Sequence, residues 1–163
     1  MPCSFPVELI ILVGLPGSGK TSFFRSRFAA THDHVSKDLL PSARDKGARQ
    51  MGLIEAALGA GRSVVVDNTS PRVVDRAPLI AAARRHGARV VGYVLDTPRG
   101  ECLRRNRERE GRARVPDVAV HVAASRLQPP AREEGFDELF TVHAAGGGFA
   151  VEPRSVDEGG PAT

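Results

Sequence analysis

Tryptophan is absent from this chain, tyrosine occurs once, and aromatic residues make up 5% of it. No clear aromatic platform for stacking nucleobases is therefore legible. Only two cysteines occur, Cys3 and Cys102, so no disulfide framework is implied and a reducing, cytoplasmic setting is expected. The histidines His32, His34, His86, His121 and His143 lack metal-ligand spacing, and no cysteine cluster joins them. The first residues lack the basic start of a signal peptide, and the apolar run that follows is too short to cross a membrane. No internal repeat is present. The chain's 163 residues suffice for one domain, and 41% hydrophobic content fits a soluble globular protein. A net charge of +4 and a pI near 9.7 favour anionic partners.

The strongest local signal is Gly14-Leu15-Pro16-Gly17-Ser18-Gly19-Lys20-Thr21, which fills every fixed position of G-x-x-x-x-G-K-[ST]. Its context is right: an apolar run from Val7 to Val13 suits a strand buried on both faces, and Phe24 and Phe28 after it lie four apart, as on one helix face. The glycines let successive backbone N–H groups converge on a phosphate, Pro16 and Ser18 complete the loop, and the next helix adds its positive end. Lys20 reaches β- and γ-phosphates, and the Thr21 hydroxyl suits Mg²⁺. A bound nucleoside triphosphate is the expected ligand.

Helix and strand patterns then alternate. His34 to Lys37 is a short strand ending at Asp38. Residues 43–60 read as a helix with Met51, Ile54 and Leu58 on one face. Ser63 to Val66 is a buried strand ending at Asp67-Asn68-Thr69. Ser70 and Pro71 read as cap and first turn of a helix whose Val73, Ala77 and Ile80 face inward. Arg89 to Leu95 is a fourth strand, and a polar helix runs from about Arg99 to Glu110. Pro116 opens another helix, although Val118, Val120 and Val122 alternate like a strand. Glu138 to Val142 is the fifth strand. The expected fold is α/β: a three-layer P-loop NTPase domain over residues 1–145, with a five-stranded parallel sheet and an arginine-rich lid at about 104–115. Residues 146–163, rich in Gly, Pro and charge, read as a disordered tail.

Ligands of such sheets gather beyond the carboxyl ends of the strands. Asp38, Asp67, Asn68, Thr69 and Asp96 follow strand ends and can share a crevice with the P-loop, although Asp and Asn also favour turns and caps. Six arginines fall between Arg104 and Arg114, with Arg105, Arg109 and Arg112 at helical spacing. A solvated charged helix is one reading of that stretch. A lid whose guanidinium groups stabilise a transferring phosphoryl group is the other, with Gly111 as a hinge.

In order along the chain, the P-loop, His34-Val35-Ser36-Lys37-Asp38, Val66-Asp67-Asn68-Thr69, Leu103 to Arg109 with Val115-Pro116, and Glu134-Gly135-Phe136-Asp137 resemble the kinase domain of the 5′-hydroxyl polynucleotide kinases. The resemblance covers roughly Leu9 to Val142. It implies an ATP-dependent, Mg²⁺-requiring kinase acting on a 5′-OH end of DNA or RNA. By position, Asp38 resembles the general base, Lys20 and Thr21 the phosphate and metal contacts, and Arg109, with Arg105 or Arg107, the lid arginine. Asp67, Asn68 and Thr69 match a motif lining the acceptor site, and Asp67 joins Thr21 as a metal candidate. There are departures. Pro41 falls near an expected acceptor-binding arginine, Lys37 stands where an arginine is usual, and no Asp-x-Asp-Gly-Thr phosphatase stretch occurs. A kinase for a small hydroxylated metabolite and a non-catalytic nucleotide-binding module are the alternatives.

Overall fold

A computed structural model describes residues 6–40, 44–111 and 114–154. Six strands form one sheet in the order β2-β3-β1-β4-β5-β6. The chain runs β1 (Glu8–Val13), α1 (Lys20–Arg27), β2 (Asp33–Val35), a 3₁₀ turn (Lys37–Leu39), α2 (Lys46–Gly59), β3 (Val64–Asp67) and α3 (Val73–Arg85). It continues through β4 (Arg89–Leu95), α4 (Arg99–Glu108), α5 (Asp117–Arg126), a second 3₁₀ turn (Arg132–Glu134), β5 (Glu138–Ala145) and β6 (Gly148–Pro153). The first five strands pair in parallel.

The apolar run of β1 is buried on both faces because alternate side chains enter different layers. Leu9, Ile11 and Val13 pack with Ile54 and Leu58 of α2 and Leu79 and Ile80 of α3. Ile10 and Leu12 face Phe23, Phe24 and Phe28. These are the two cores of a three-layer sandwich. A smaller cluster of Leu15, Cys102, Val120 and Ala123 seats α4 and α5 against the P-loop. No described helix is long and apolar enough to cross a membrane.

Several expectations are corrected. The sheet has six strands, because residues 148–153, taken for tail, fold back across the Gly146-Gly147 turn and pair antiparallel with β5. Both turn glycines have positive φ, 52° and 82°, which is what a reversal this tight requires. Residues 155–163 of the expected tail lie outside the described residues. Helix α3 starts at Val73, not at Pro71, and its inner face is Arg76, Leu79, Ile80 and Ala83, while Val73 is exposed. The cap is made by Asp75, whose carboxylate accepts the Arg72 N–H at 3.1 Å. Ser70 instead has φ 43°. Pro116 does open a helix, and of the three alternating valines only Val120 is buried.

The order β3-β1-β4 makes β1 the switch point, with chain crossing to either side of it, so the crevice opens above its carboxyl end. Next to β1, β4 packs tightly against β5 at Gly92. A Cβ on Gly92 would lie 2.6 Å from Leu139 Cδ2 and 2.9 Å from Phe136 Cε1. We expect Gly92→Ala to destabilise by about 1–3 kcal/mol through overpacking, read as a lower urea midpoint at unchanged slope. A wild-type midpoint would contradict the packing described.

Candidate active site

The P-loop leaves β1 at Gly14 and enters α1 at Lys20. Gly17 and Gly19 have φ 83° and 100°, in the region that favours glycine. A side chain on Gly17 would also collide with the carbonyl of Cys102 in α4. Lys20 lies down against the loop, its Nζ donating to the carbonyls of Gly14 at 3.0 Å and Leu15 at 2.9 Å. The residue is 8% exposed. Ser18 is buried. Its carbonyl accepts the Thr97 hydroxyl at 2.9 Å, while its own hydroxyl has no hydrogen-bond partner.

Asp67 ends β3 beside the P-loop because the parallel register sets Asp67 against Leu12. Its Oδ2 accepts the Thr21 hydroxyl at 2.7 Å and lies 2.8 Å from His34 Nε2. The His34 ring stacks on Phe24, with centroids 4.1 Å apart. Burial by itself would raise the Asp67 pKa. The hydrogen bonds from His34 and Thr21, with the Lys20 charge, outweigh it and hold the carboxyl below its ordinary value.

Asn68 works through its amide. Its Oδ1 accepts the Lys37 N–H at 3.0 Å and its Nδ2 donates to Gln50 Oε1 at 2.7 Å. It thereby ties the turn bearing Asp38 to α2. The backbone of Asp38 lies in that turn, directly beyond β2. Its side chain lies outside the described part of the structure, as does Pro41. The Thr69 carbonyl accepts the Gly14 N–H at 3.3 Å, closing the β3 loop onto the P-loop.

A cleft of ≈ 410 Å³ is lined by Pro16, Lys20, Thr21, Asp67, Asn68, Thr69 and Arg109, with Lys37, Arg72 and Arg126 also along it. A second cavity of ≈ 550 Å³ lies on the other side of the P-loop, lined by Gly17, Gly19, Ser22, Arg105, Arg109 and the β5–β6 turn from Ala144 to Phe149. Arg109 borders both. Arg105 borders only the second, and Arg107 neither. Asp96 is outside both and lies 3.7 Å from His143.

The arginine-rich segment is part charged helix and part loop. Arg104 pairs with Glu101 and Glu108, Arg105 with Glu101, and Arg107 with Asp117. Arg109 follows the end of α4 in extended conformation, so the expected helical spacing from Arg105 does not extend to it. The cause is Asn106, which is fully buried. Its amide donates to the Val115 carbonyl at 2.6 Å and accepts the Val115 N–H at 3.0 Å. Its own carbonyl accepts the Arg109 N–H at 3.1 Å. One side chain thus cinches the loop that carries Arg109. Arg112 lies outside the described residues.

Sequence reasoning missed Asn106, Gln50 and the β5–β6 turn, and set His34 aside as a non-ligand. The asparagine among arginines and the Gly146-Gly147-Gly148 run were the available signals. His34 opens one of the family-like stretches, and Gln50 carried no signal.

The AAA domain family matches residues 9–130. The bifunctional polynucleotide phosphatase/kinase of Schizosaccharomyces pombe (strain 972 / ATCC 24843) is 31% identical over 140 residues, taking in 83% of this chain and 33% of the yeast protein. The chain therefore spans about a third of that relative's length. Among solved structures, a gluconokinase from Sinorhizobium meliloti 1021 aligns with TM-score 0.61 and 21% identity, over 87% of this chain and 85% of that one. A fungal RNA kinase aligns with TM-score 0.63 and 14% identity, over 85% and 77%. These two likenesses establish a shared fold.

The lowered pKa of Asp67 has a sign that can be tested. A carboxyl whose folded pKa lies below its ordinary 3.8 contributes stability above that value, lost as pH falls through the folded one. We expect Asp67→Asn to cost about 1–3 kcal/mol at neutral pH and to make stability less sensitive to pH on the acid side. Parallel urea titrations at neutral and acid pH measure both; equal losses at every pH would refute the assignment.

Proposed function

Because the chain belongs to the AAA domain family, we propose that it is an ATP-dependent kinase that transfers the γ-phosphate to a 5′-OH end of DNA or RNA. The observation that carries this reading is one cleft lined by the P-loop lysine, the Thr21–Asp67 pair and four cationic side chains, Lys37, Arg72, Arg109 and Arg126, with Asp75, the ion-pair partner of Arg72, beside them. A phosphodiester acceptor matches such a lining. Likeness to the yeast polynucleotide phosphatase/kinase supports the same acceptor class.

The residues take the following roles. The triphosphate lies in the P-loop, where backbone N–H groups and Lys20 meet its charge. Lys20 exchanges its bonds to the Gly14 and Leu15 carbonyls for phosphate oxygens. The nucleoside extends into the second cavity, between Arg105 and the β5–β6 turn. Thr21 and Asp67 offer two hard oxygen donors 2.7 Å apart, which suits Mg²⁺. Among the described residues no cluster of three His, Cys, Asp or Glu could hold a metal unaided, so the phosphates would complete the shell. When bound, the ion neutralises phosphate charge. Asp38, on the turn that Asn68 holds, accepts the proton of the attacking hydroxyl. Arg109, bordering both cavities, spans donor and acceptor and stabilises the charge on the moving phosphoryl group.

Radiolabelled ATP offered to 5′-OH oligonucleotides, nucleosides and gluconate tests the acceptor. We expect label on the oligonucleotide, with a KM that rises steeply with salt. Label on gluconate or another small hydroxyl compound instead would overturn the polynucleotide reading in favour of the metabolite alternative. Asp38→Asn should lower kcat by about 10² or more with ATP binding kept; wild-type turnover would remove it as the base. Arg109→Ala should lower kcat more than it weakens ATP binding, and Arg109→Lys should not restore it, since an ammonium lacks the planar fork.

A further inference from the structure

We propose that Arg76 is a positioning residue that sets the width of the acceptor side of the cleft. The proposal rests on the reading that this side receives the acceptor. Arg76 is fully buried, and its Nε and Nη2 donate to the two carboxylate oxygens of Glu134 at 2.8 and 3.1 Å. A buried pair of this kind is costly to desolvate, and well-packed apolar residues often serve stability as well. What an apolar pair cannot do is direct backbone carbonyls. The remaining bonds of Arg76 do that: Nη1 donates to the Ser70 carbonyl at 2.9 Å and Nη2 to the Gln128 carbonyl at 3.0 Å.

Both carbonyls belong to segments that wall the cleft. Ser70 follows Asp67-Asn68-Thr69 and precedes Pro71 and Arg72, and all six line it. Among the described residues Ser70 is the one non-glycine with positive φ, at 43°, a conformation that needs outside support. Gln128 follows the end of α5, whose Arg126 lines the cleft. Its N–H donates to the Pro71 carbonyl at 2.6 Å, and its Oε1 accepts the Val73 N–H at 2.8 Å. Arg76 therefore adds a second tie between the Ser70–Arg72 wall and the Arg126 wall, beside the direct bonds of Gln128 to Pro71 and Val73, and it alone reaches the Ser70 carbonyl among the described side chains. The described bonds of Arg76 do not include the P-loop, so the nucleotide side should be insensitive to it.

The test replaces both charges at once with Arg76→Met and Glu134→Leu, which keeps the volume apolar and filled, and compares Arg76→Lys. We expect the double variant to fold with a lowered melting temperature, because the Ser70 and Gln128 carbonyls and the Ala131 N–H lose their partners, and to bind ATP within about twofold of wild type, since the P-loop is untouched. Amide hydrogen exchange should accelerate in residues 68–73 and 126–129 and not in 14–21. Oligonucleotide KM should rise about tenfold or more, well beyond any change in ATP KM. Arg76→Lys keeps the charge for Glu134 but not the fork, so it should show the same split between the two KM values. A folded double variant with wild-type exchange in both segments would overturn the proposal, as would loosened segments with an unchanged oligonucleotide KM. If the double variant does not fold, Arg76→Lys decides on the same readouts. If the wild type labels no oligonucleotide, the kinase reading fails separately, and exchange alone decides whether Arg76 holds the two walls.

Discussion

The parallel register of β1 against β3, with Leu12 beside Asp67, is the constraint on which the site depends. Both strands are apolar on both faces, so hydrophobic pattern does little to choose between registers. Polar bonds at the strand ends choose. The Thr21 hydroxyl and His34 both meet Asp67 Oδ2, and the Gly14 N–H meets the Thr69 carbonyl. A slip of one residue would turn Asp67 to the opposite face and break all of these. The apolar layers supply the drive to pair, and the site supplies the alignment.

Charge is divided in the same way between holding and acting. Arg104, Arg105 and Arg107 pair with neighbouring carboxylates along α4 and α5. Glu101, hydrogen-bonded by Arg104 and then Arg105, has its pKa pulled down to about 2, and the hydrogen bond from Arg107 lowers that of Asp117. Exposed pairs of this kind contribute little to stability. Their effect is spatial: they keep Arg104 and Arg107 over the helix surface, whereas Arg105 also borders the second cavity and Arg109 borders both. Its place there comes from the neutral, buried amide of Asn106, which directs two backbone groups of Val115.

The sandwich, the P-loop and the crevice above β1 were legible in the sequence because glycine spacing and unbroken apolar runs are local signals. The edge strand β6 was not. Gly146-Gly147-Gly148 and the charged residues beyond it have the composition of a tail, and only the partner strand β5 makes residues 148–153 regular. Arg76 escaped for a related reason. A periodicity reading treats arginine as a solvent marker, so it chose Val73 and Ala77 for the inner face of α3. The actual face includes Arg76, because Glu134, far along the chain, neutralises it. Asn68 and Asp67 were found as strand-end residues. That Asn68 acts by holding the Lys37 turn depends on Gln50 and Lys37, which no spacing rule connects.

The stretch Glu134-Gly135-Phe136-Asp137, part of the family resemblance, does not line the cleft. Glu134 receives Arg76, Phe136 fills the space over Gly92, and Asp137 exchanges backbone and side-chain bonds with Val90 at the start of the β4–β5 pairing. It is framework, and the Arg76 guanidinium joins it to Ser70 at the edge of the cleft. Fold likeness to both a gluconokinase and an RNA kinase follows from such framework, since neither sheet order nor P-loop geometry distinguishes a sugar from a nucleic-acid end. Discrimination must then lie where the framework presents side chains to the acceptor. On the reading proposed above, the candidates are Lys37 on the turn beyond β2, Arg72 before α3 and Arg126 at the end of α5, all of which line the cleft. They come from three elements; Asn68 bonds to the backbone of Lys37, and Arg76 bonds to carbonyls of the segments that carry Arg72 and Arg126. A compact polyol would engage them poorly, whereas a strand carrying successive phosphates can meet cations spread along a cleft, which is the physical reason to prefer the larger acceptor.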